Sequence, residues 1–387
     1  SNSTFRTGDA VKFVTTLTTS INNSVTTIVV GNTCGLRDGD SIKIGNELIG
    51  IGTVTNTTTL SNCTIENNIV KTLDMHPGCG CDWDGLGGAI FSNSGNMQIT
   101  NCTFNSNTAQ TYTANAYAEG GAIYFSGGNS SITNCIFYGN TASQITYGSA
   151  RGGAIAATNG ICVFNNCLFN GNTATNLGGA IYNSGGTIDF NNCSYYNNTA
   201  PIGGAIGTFS FTNINNSIIW GNTSSINGIA TVANSIVQGG YAGTGNLNAD
   251  PLWVSTSDFH LQQCSPAVNK GNNALLVAGI TTDLDGLTRI INSTIDMGAY
   301  EYQSVVAPAI NCPSNINVNA NTTGCSYSGS IGTPTANSAC GSVVISGPLP
   351  AGPYSVGTTV VTWTATDING NTSSCSQNVT EIGRAHV

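Results

Sequence analysis

The feature that most constrains this chain is a four-residue motif, Gly-Gly-Ala-Ile, that occurs five times. It begins at Gly87, Gly120, Gly152, Gly178 and Gly203, so successive copies lie 33, 32, 26 and 25 residues apart. Between the copies, short alternating apolar and polar segments are separated by clusters of Asn, Gly and Ser, which is typical of strands and turns. Periods of this length with strand-only units indicate a solenoid, in which each unit buries its apolar face against its neighbours.

The repeated positions predict files of like side chains in a parallel β-helix, with equivalent residues about 4.8 Å apart in adjacent coils. The Ile of each motif would form one internal file. An Asn-Cys-x-Phe-like motif follows each copy, and its large last residue would form a second internal file, the Phe file, which Ile65 continues. Two files of Asn would bond from coil to coil through side-chain amides. The members are Ile90, Ile123, Ile155, Ile181 and Ile206; Phe104, Phe137, Phe169, Tyr195 and Ile219; Asn101, Asn134, Asn166, Asn192 and Asn216; and Asn107, Asn140, Asn172, Asn198 and Asn222.

The spacing also predicts how the coils differ from one another. The paired Gly is expected at a tight corner that requires positive φ. The longer units carry insertions at 110–119 and 143–150, which we expect to loop out of a single corner. Residues 1–60 are expected to contain a partial first coil with inserted strands. About seven coils would make a rod roughly 34 Å long at one strand spacing per coil.

Charged residues are scarce, at 7% of the chain against roughly 25% in ordinary globular proteins. A net charge of −9 with nine Lys and Arg argues against nucleic-acid binding, which requires clustered basic residues. No apolar run approaches the ~18 residues of a membrane-spanning helix. Within 87–240 the charged side chains are Glu119, Arg151 and Asp189. Glu119 and Arg151 each precede a Gly-Gly-Ala-Ile motif, so we predict an exposed ion pair worth about 0–1 kcal/mol, not a catalytic pair.

Nine of the 14 cysteines fall into two groups. One group recurs once per repeat and is predicted to lie inside as buried thiols, since parallel Cβ vectors disfavour disulfides between coils. The other is an even set near the end of the chain, which predicts a disulfide-stapled extracellular module. The two groups are Cys63, Cys102, Cys135, Cys167 and Cys193, and Cys312, Cys325, Cys340 and Cys375.

Two acidic segments are candidate metal sites. A loop before the first full repeat combines three acids, one His and two Cys, which are ligand types for Zn²⁺ or Ca²⁺. Its Cys-x-Cys spacing is not that of a zinc ribbon, and an exposed insertion with a local disulfide is the alternative. The segment 283–286 with Arg289 is predicted as a turn with an Asp–Arg pair, with calcium binding as the alternative. The candidate ligands of the first loop are Asp74, His76, Cys79, Cys81, Asp82 and Asp84.

The repeat motifs at about 61–240 resemble those of bacterial right-handed, single-stranded parallel β-helix proteins with the pectin-lyase-like fold. They are also similar to the repeats of polymorphic outer-membrane adhesins. The segment 241–303, with its motifs at 250–253, 258–261 and 296–302, resembles the closing segment of secreted, surface-anchored β-helix proteins. We expect this segment to cover the apolar final coil and its strand edge.

After a linker at 304–310, residues 311–381 resemble a hyalin-repeat domain, an immunoglobulin-like β-sandwich of extracellular proteins. The motifs that carry the resemblance are Cys312-Pro313, Ala339-Cys340-Gly341, Gly352–Val360, Thr362–Asp367, Gly370-Asn371-Thr372 and Cys375. Apolar residues alternate with Thr over 361–366, which predicts a half-buried strand, and 367–371 is predicted as a hairpin turn. This family implies adhesion or spacing at cell surfaces and no catalytic residue. The tail 382–387 resembles a translated sequencing-library adapter, and we expect it to be an artefact.

The sequence thus predicts an all-β, non-catalytic protein, secreted or at the cell surface, that acts as an adhesin or a structural stalk. We expect a monomeric fragment without a cofactor, which contacts polysaccharides or cell-surface glycans through its uncharged faces. The alternative is a polysaccharide lyase or glycoside hydrolase with a site in 71–86 or 110–119. Hydrolysis requires two carboxylates about 5–9.5 Å apart, and no such pair stands out. A third possibility is a calcium-stabilised passenger of a transport system.

Overall fold

The computed structural model describes residues 58–72, 84–112, 116–145, 148–321 and 325–383, and three short earlier strands, Thr16–Leu17, Ser41–Ile44 and Glu47–Gly50. The described chain is almost entirely β-structure with long parallel sheets, which confirms the predicted β-helix followed by a C-terminal β domain. In the described ranges, no helix has the length and apolarity needed to cross a membrane.

Three long sheets form the walls of the coil. Sheet 1 consists of Thr16–Leu17, Thr64–Glu66, Thr103–Asn105, Ile136–Tyr138, Leu168–Asn170, Ser194–Tyr196, Ile218–Ile219 and Ile236–Val237, the first of them antiparallel. Sheet 2 consists of Thr58–Ser61, Met97–Thr100, Asn129–Thr133, Ile161–Asn165, Thr187–Asn191, Thr212–Asn215 and Thr231–Ala233. Sheet 3 consists of Ile90–Ser92, Ile123–Phe125, Ile155–Ala157, Ile181–Asn183, Ile206–Thr208 and Ile226–Gly228.

The predicted apolar files are confirmed, and they form the core. Phe104, Phe137 and Phe169 stack with ring centroids 4.9 Å apart in each pair, and Tyr195 follows at 4.8 Å. The Ile file is in register through all five motifs. These side chains are buried, and burying a Phe or Ile stabilises the fold by about 1.5–3 kcal/mol each. The five repeat cysteines also lie inside as free thiols, as predicted.

The second Asn file forms an unbroken amide ladder from Asn107 to Asn222, and Asn68 extends it by one coil. Each Nδ2 donates to the Oδ1 of the next Asn at 2.8–3.0 Å. The same Oδ1 accepts the backbone N–H of the preceding Asn. The ladder therefore satisfies buried turn amides that no strand can pair.

The first Asn file marks the bend between sheets 2 and 1. Its five members and the flanking Asn62 and Asn234 have φ between 46° and 54°, a left-handed conformation that Asn tolerates better than most residues. Hydrogen bonds between side-chain amides of adjacent coils join Asn101 to Asn62 and Asn166 to Asn134. Other side-chain amides of this file donate hydrogen bonds to carbonyl oxygens of the segment that follows the last coil. The predicted ladder is therefore only partial at this position.

The paired glycines occupy the tight corner that the sequence predicts. Gly87 has φ of +63°, and a Cβ there would lie 2.0 Å from the carbonyl oxygen of Ile90. A Cβ on Gly88 would lie 2.1 Å from the carbonyl oxygen of Gly121 in the next coil. The first Gly is thus required by conformation and the second by the close approach of neighbouring coils.

In the longer units, the described residues at both ends of each insertion form strands, which the sequence did not predict. A four-stranded sheet contains Ile69–Thr72, Thr108–Thr111, Thr141–Gln144 and Thr173–Ala174, and a three-stranded sheet contains Gly85–Leu86, Tyr117–Glu119 and Ser149–Arg151. Both sheets are parallel. Insertions in adjacent coils lie one strand spacing apart, so they can pair with each other and satisfy their backbone groups.

The segment after the last coil covers the end of the stack, as predicted, only with its first part. Its first part closes the end of the stack: Tyr241 packs against the main core, and Leu247 pairs with Ile236. Residues 250–302 then turn back along the outer face of sheet 1, where Leu261 and Met297 pack against Ile218 and Ile236 of the last coils. This folded-back segment contains the hairpin Trp253–Ser255/Asp258–Leu261 and the 3₁₀ helix Asn273–Leu275.

Backbone groups join the folded-back segment to the coils it crosses. The N–H of Ala299 donates to Ser194 Oγ at 3.0 Å, and that of Gly298 donates to the carbonyl oxygen of Asn216 at 2.7 Å. Apolar side chains fill the space between the two layers, among them Leu168, Ile218 and Met297. The outward face of sheet 1 is therefore covered over its last coils.

The C-terminal module is built from three small sheets. They contain Ala309–Asn311 and Thr335–Asn337; Ile316–Val318, Thr372–Glu381, Gly357–Thr366 and Val344–Leu349; and Ser326–Tyr327 and Tyr354–Ser355. The predicted half-buried strand is confirmed, with Val361, Trp363 and Ala365 inside. The predicted turn at 367–371 is confirmed as well. The first strand begins inside the span predicted as a linker.

Candidate functional site

A groove of about 880 Å³ lies where the folded-back segment meets the uncovered part of sheet 1. Its floor contains Tyr138, Asn170 and Tyr196, which are equivalent residues of three consecutive coils. Strand alternation turns these side chains outward, because each follows an inward member of the Phe file. Because the strands pair in register, each coil contributes one residue to the floor, and these residues lie about 4.8 Å apart along the axis.

One rim of the groove is low because it is made of turn residues with small side chains or none. Gly139 and Gly171 have φ of +62° and +68°, and Ser106 and Asn197 occupy the equivalent turns with φ of 54° and 53°. The same left-handed turn is repeated in each coil. It leaves the phenol ring of Tyr138 accessible, and this residue is 50% exposed.

The other rim is the hairpin of the folded-back segment. Tyr196 contacts Trp253 and Phe259 with ring centroids 5.4 Å away in each case, and Trp253 and Phe259 meet edge to face at 5.1 Å. This aromatic cluster holds the hairpin against the coil. Edge-to-face contacts of this kind contribute about 0.5–1.5 kcal/mol beyond their buried area.

His260 joins the hairpin to a second turn of the same segment. Its Nδ1 lies 2.5 Å from Asp258 Oδ1 and its Nε2 lies 2.6 Å from Asp285 Oδ2. The ring also packs on Tyr300 at 4.3 Å. Partial burial opposes protonation, but the hydrogen bonds to Asp285 and Asp258 outweigh it and raise the pKa of His260 above its ordinary value. The hydrogen bond to His260 lowers the pKa of Asp258. When it is protonated, His260 donates hydrogen bonds to two carboxylates at the rim.

The predicted pair of Glu119 and Arg151 is confirmed, since Arg151 Nη1 lies 3.3 Å from Glu119 Oε1. The prediction that the pair is exposed is wrong for Glu119, whose side chain is 8% exposed. Arg151 lies over the rings of Tyr117 and Tyr182, at 4.5 Å and 5.2 Å. Burial outweighs the attraction of Arg151 and raises the pKa of Glu119 to about 7. Asp189 lies apart on sheet 2 and accepts a hydrogen bond from Asn213.

The predicted Asp–Arg pair at 283–289 is wrong. Asp283 instead accepts the backbone N–H groups of Asp285 and Leu287, which closes the turn. Arg289 is fully buried, and its Nε lies 4.0 Å from Glu301 Oε2. Burial, together with nearby Asp296, raises the pKa of Glu301 to about 8. The side chains of this cluster are buried, so its carboxylates are not accessible to a substrate.

Of the predicted metal ligands, the structure describes only Asp84, whose Oδ1 accepts the N–H of Tyr117 at 2.7 Å. Asp74, His76, Cys79, Cys81 and Asp82 lie outside the described residues. Elsewhere in the described chain, no cluster of three or more His, Cys, Asp or Glu side chains has a geometry that could hold a metal ion.

The four predicted disulfide cysteines do not form a set confined to the module. Cys312 pairs with Cys375, but Cys340 pairs with Cys264 of the folded-back segment, and Cys325 is free and exposed. No sequence pattern marks Cys264 as a disulfide partner, because it lies outside both the repeats and the module. The hairpin turn of the module also bonds to this segment: Lys270 Nζ donates to the carbonyl oxygen of Ile368 at 2.6 Å.

The groove is not predicted from the sequence, in which the outward faces of the coils are mostly uncharged polar residues. One signal was available: Tyr138 and Tyr196 immediately follow inward aromatic residues, so alternation places large rings on the outer surface. No signal places His260 or Tyr300 beside them. Their position depends on the path of the folded-back segment.

Comparison with known families identifies two regions. Residues 305–381 match the model of the HYR domain, and residues 101–126 and 166–184 match that of the Chlamydia polymorphic membrane protein repeat. Each repeat match includes one Gly-Gly-Ala-Ile motif. Comparisons with curated proteins and with solved structures found no match. The family matches indicate an adhesin-like protein that is at the cell surface or extracellular.

Proposed function

We propose that this chain is the ligand-presenting part of a surface adhesin and that it binds carbohydrate without cleaving it. The observation that carries the proposal is the fixed attachment of the HYR-like module to a rigid stack of coils. The Cys264–Cys340 disulfide and the contact of Lys270 with the module hold the two together. Such a joint keeps the long uncharged faces of the rod at a constant orientation to the module.

The composition of the rod supports a carbohydrate ligand over a charged one. Asn, Thr and Ser dominate the outer positions of the coils, and their amides and hydroxyls can both donate and accept hydrogen bonds. Sugar hydroxyls require both functions. Repetition of the same side chains along the axis would allow many weak contacts to act together.

The proposal is tested with the full chain, applied as a purified protein to cells and to a glycan array. We expect saturable binding to both, and free oligosaccharide should compete for the cell-bound fraction. Binding to cells without binding to glycans would refute the carbohydrate part. If the protein bound neither, only the function of a structural stalk would remain. Release of products from pectin or alginate would favour the lyase or hydrolase alternative instead.

A further inference from the structure

We propose that the groove beside the folded-back segment binds a neutral oligosaccharide, with Tyr138 as its principal contact; this inference rests on the proposed carbohydrate-binding function. The groove is defined by the floor residues Tyr138, Asn170 and Tyr196 and by the rim at 256–260. It is a concave surface in which aromatic and amide groups converge, which is the usual composition of a small-ligand site.

The floor matches the two kinds of surface that a sugar ring presents. A pyranose has an apolar C–H face and a rim of hydroxyls. Tyr138 is half exposed, so its ring face is available for stacking, and the amide of Asn170 lies one coil further along the same file. A rigid Tyr ring contributes contact area at a low cost in conformational entropy.

The charges at the rim favour an uncharged ligand. Among the described residues that line the groove there is no Lys or Arg. The charged groups are His260 and Asp258, and His260 is already bonded to two carboxylates, Asp258 and Asp285. The trio has a net charge of −1 when His260 is protonated and −2 when it is neutral. An acidic glycan would therefore meet like charge without a compensating cation.

The dimensions of the groove favour an oligosaccharide over a single sugar. The turn residues Ser106, Gly139, Gly171 and Asn197 belong to four consecutive coils. Three strand spacings separate the first coil from the last, which is about 14 Å. That span accommodates several linked rings, each near one floor residue.

The test uses the full chain and three neutral probes, chitohexaose, mannohexaose and xylohexaose, with polygalacturonate as the acidic probe. Calorimetric titration should detect binding of at least one neutral probe and none of polygalacturonate. Tyr138→Ala should weaken that binding by about 10-fold or more. Tyr138→Phe should retain most of it, because the ring face is kept. Asn170→Trp should weaken it as well, since the larger side chain fills the floor beside Tyr138 and removes the amide of Asn170.

The matched control is Phe211→Ala, which removes an aromatic residue that is 76% exposed and does not line the groove. It should bind as the wild type does. If Tyr138→Ala and Phe211→Ala bind the neutral probe equally, the groove is not the site, although the adhesin function stands. Preferential binding of polygalacturonate would refute the choice of a neutral ligand. If the wild-type chain binds cells but none of the neutral probes, the inference fails and adhesion survives.

Discussion

Replacing Asn140 by Ala should destabilise the fold by about 4 kcal/mol, because it breaks the buried amide ladder at its centre. Asn140 is fully buried. Its Oδ1 accepts both the backbone N–H and the side-chain Nδ2 of Asn107 at 3.0 Å. Its Nδ2 donates to the carbonyl oxygen of Phe104 at 2.9 Å. The substitution leaves two buried backbone groups, the N–H of Asn107 and the carbonyl oxygen of Phe104, without these partners, and each such group costs roughly 1–3 kcal/mol. Asn107 Nδ2 keeps a hydrogen bond to the carbonyl oxygen of Ile65 at 2.9 Å.

The assay is urea unfolding followed by circular dichroism, combined with amide hydrogen exchange of the neighbouring coils. Asn222→Ala should have a smaller effect, because Asn222 ends the ladder and is only partly buried. Asn129→Ala is the matched control: this Asn is exposed in the same coil as Asn140, and the change should cost less than about 0.5 kcal/mol. The ladder argument is refuted if Asn140→Ala and Asn129→Ala unfold at the same urea concentration.

Three further perturbations test the charged and covalent contacts. Glu119→Gln should gain stability relative to the wild type as pH rises from about 4.5 to 7, by on the order of 2–3 kcal/mol. The reason is that the raised pKa of Glu119 makes the wild type, but not the variant, lose stability over that range; a pH-independent difference would contradict this. His260→Asn should lose about 0–1 kcal/mol at pH 5, and the loss should vanish as pH rises through the raised pKa of His260; thermal melts at several pH values measure it. The double variant Cys264→Ser/Cys340→Ser should lose about 2–4 kcal/mol of unfolding free energy, measured by urea unfolding, and the module should move more freely relative to the coils in small-angle scattering. An unchanged scattering profile would show that the other contacts suffice to fix the module.

The repeated part of the fold could be predicted in detail because its contacts are periodic. Phe137 contacts Phe104 and Phe169, and Asn140 contacts Asn107 and Asn172, at the spacing of the sequence repeat. A shift of one residue would turn each apolar file outward, so the pattern sets the register as well as the fold. The pairing of Glu119 with Arg151 followed from the same spacing, but its burial did not, since that depends on the strands formed by the insertions.

The sequence by itself thus determined the winding of the chain, its inner files and the presence of a C-terminal β domain. Only the tertiary structure decided that residues 250–302 return along sheet 1 and that Cys264 reaches Cys340. These contacts join single positions that are far apart in the chain and occur once, so no repeated pattern encodes them. The groove has the same origin: repetition supplies Tyr138 and Asn170 on its floor, whereas His260 reaches its rim only through the fold-back.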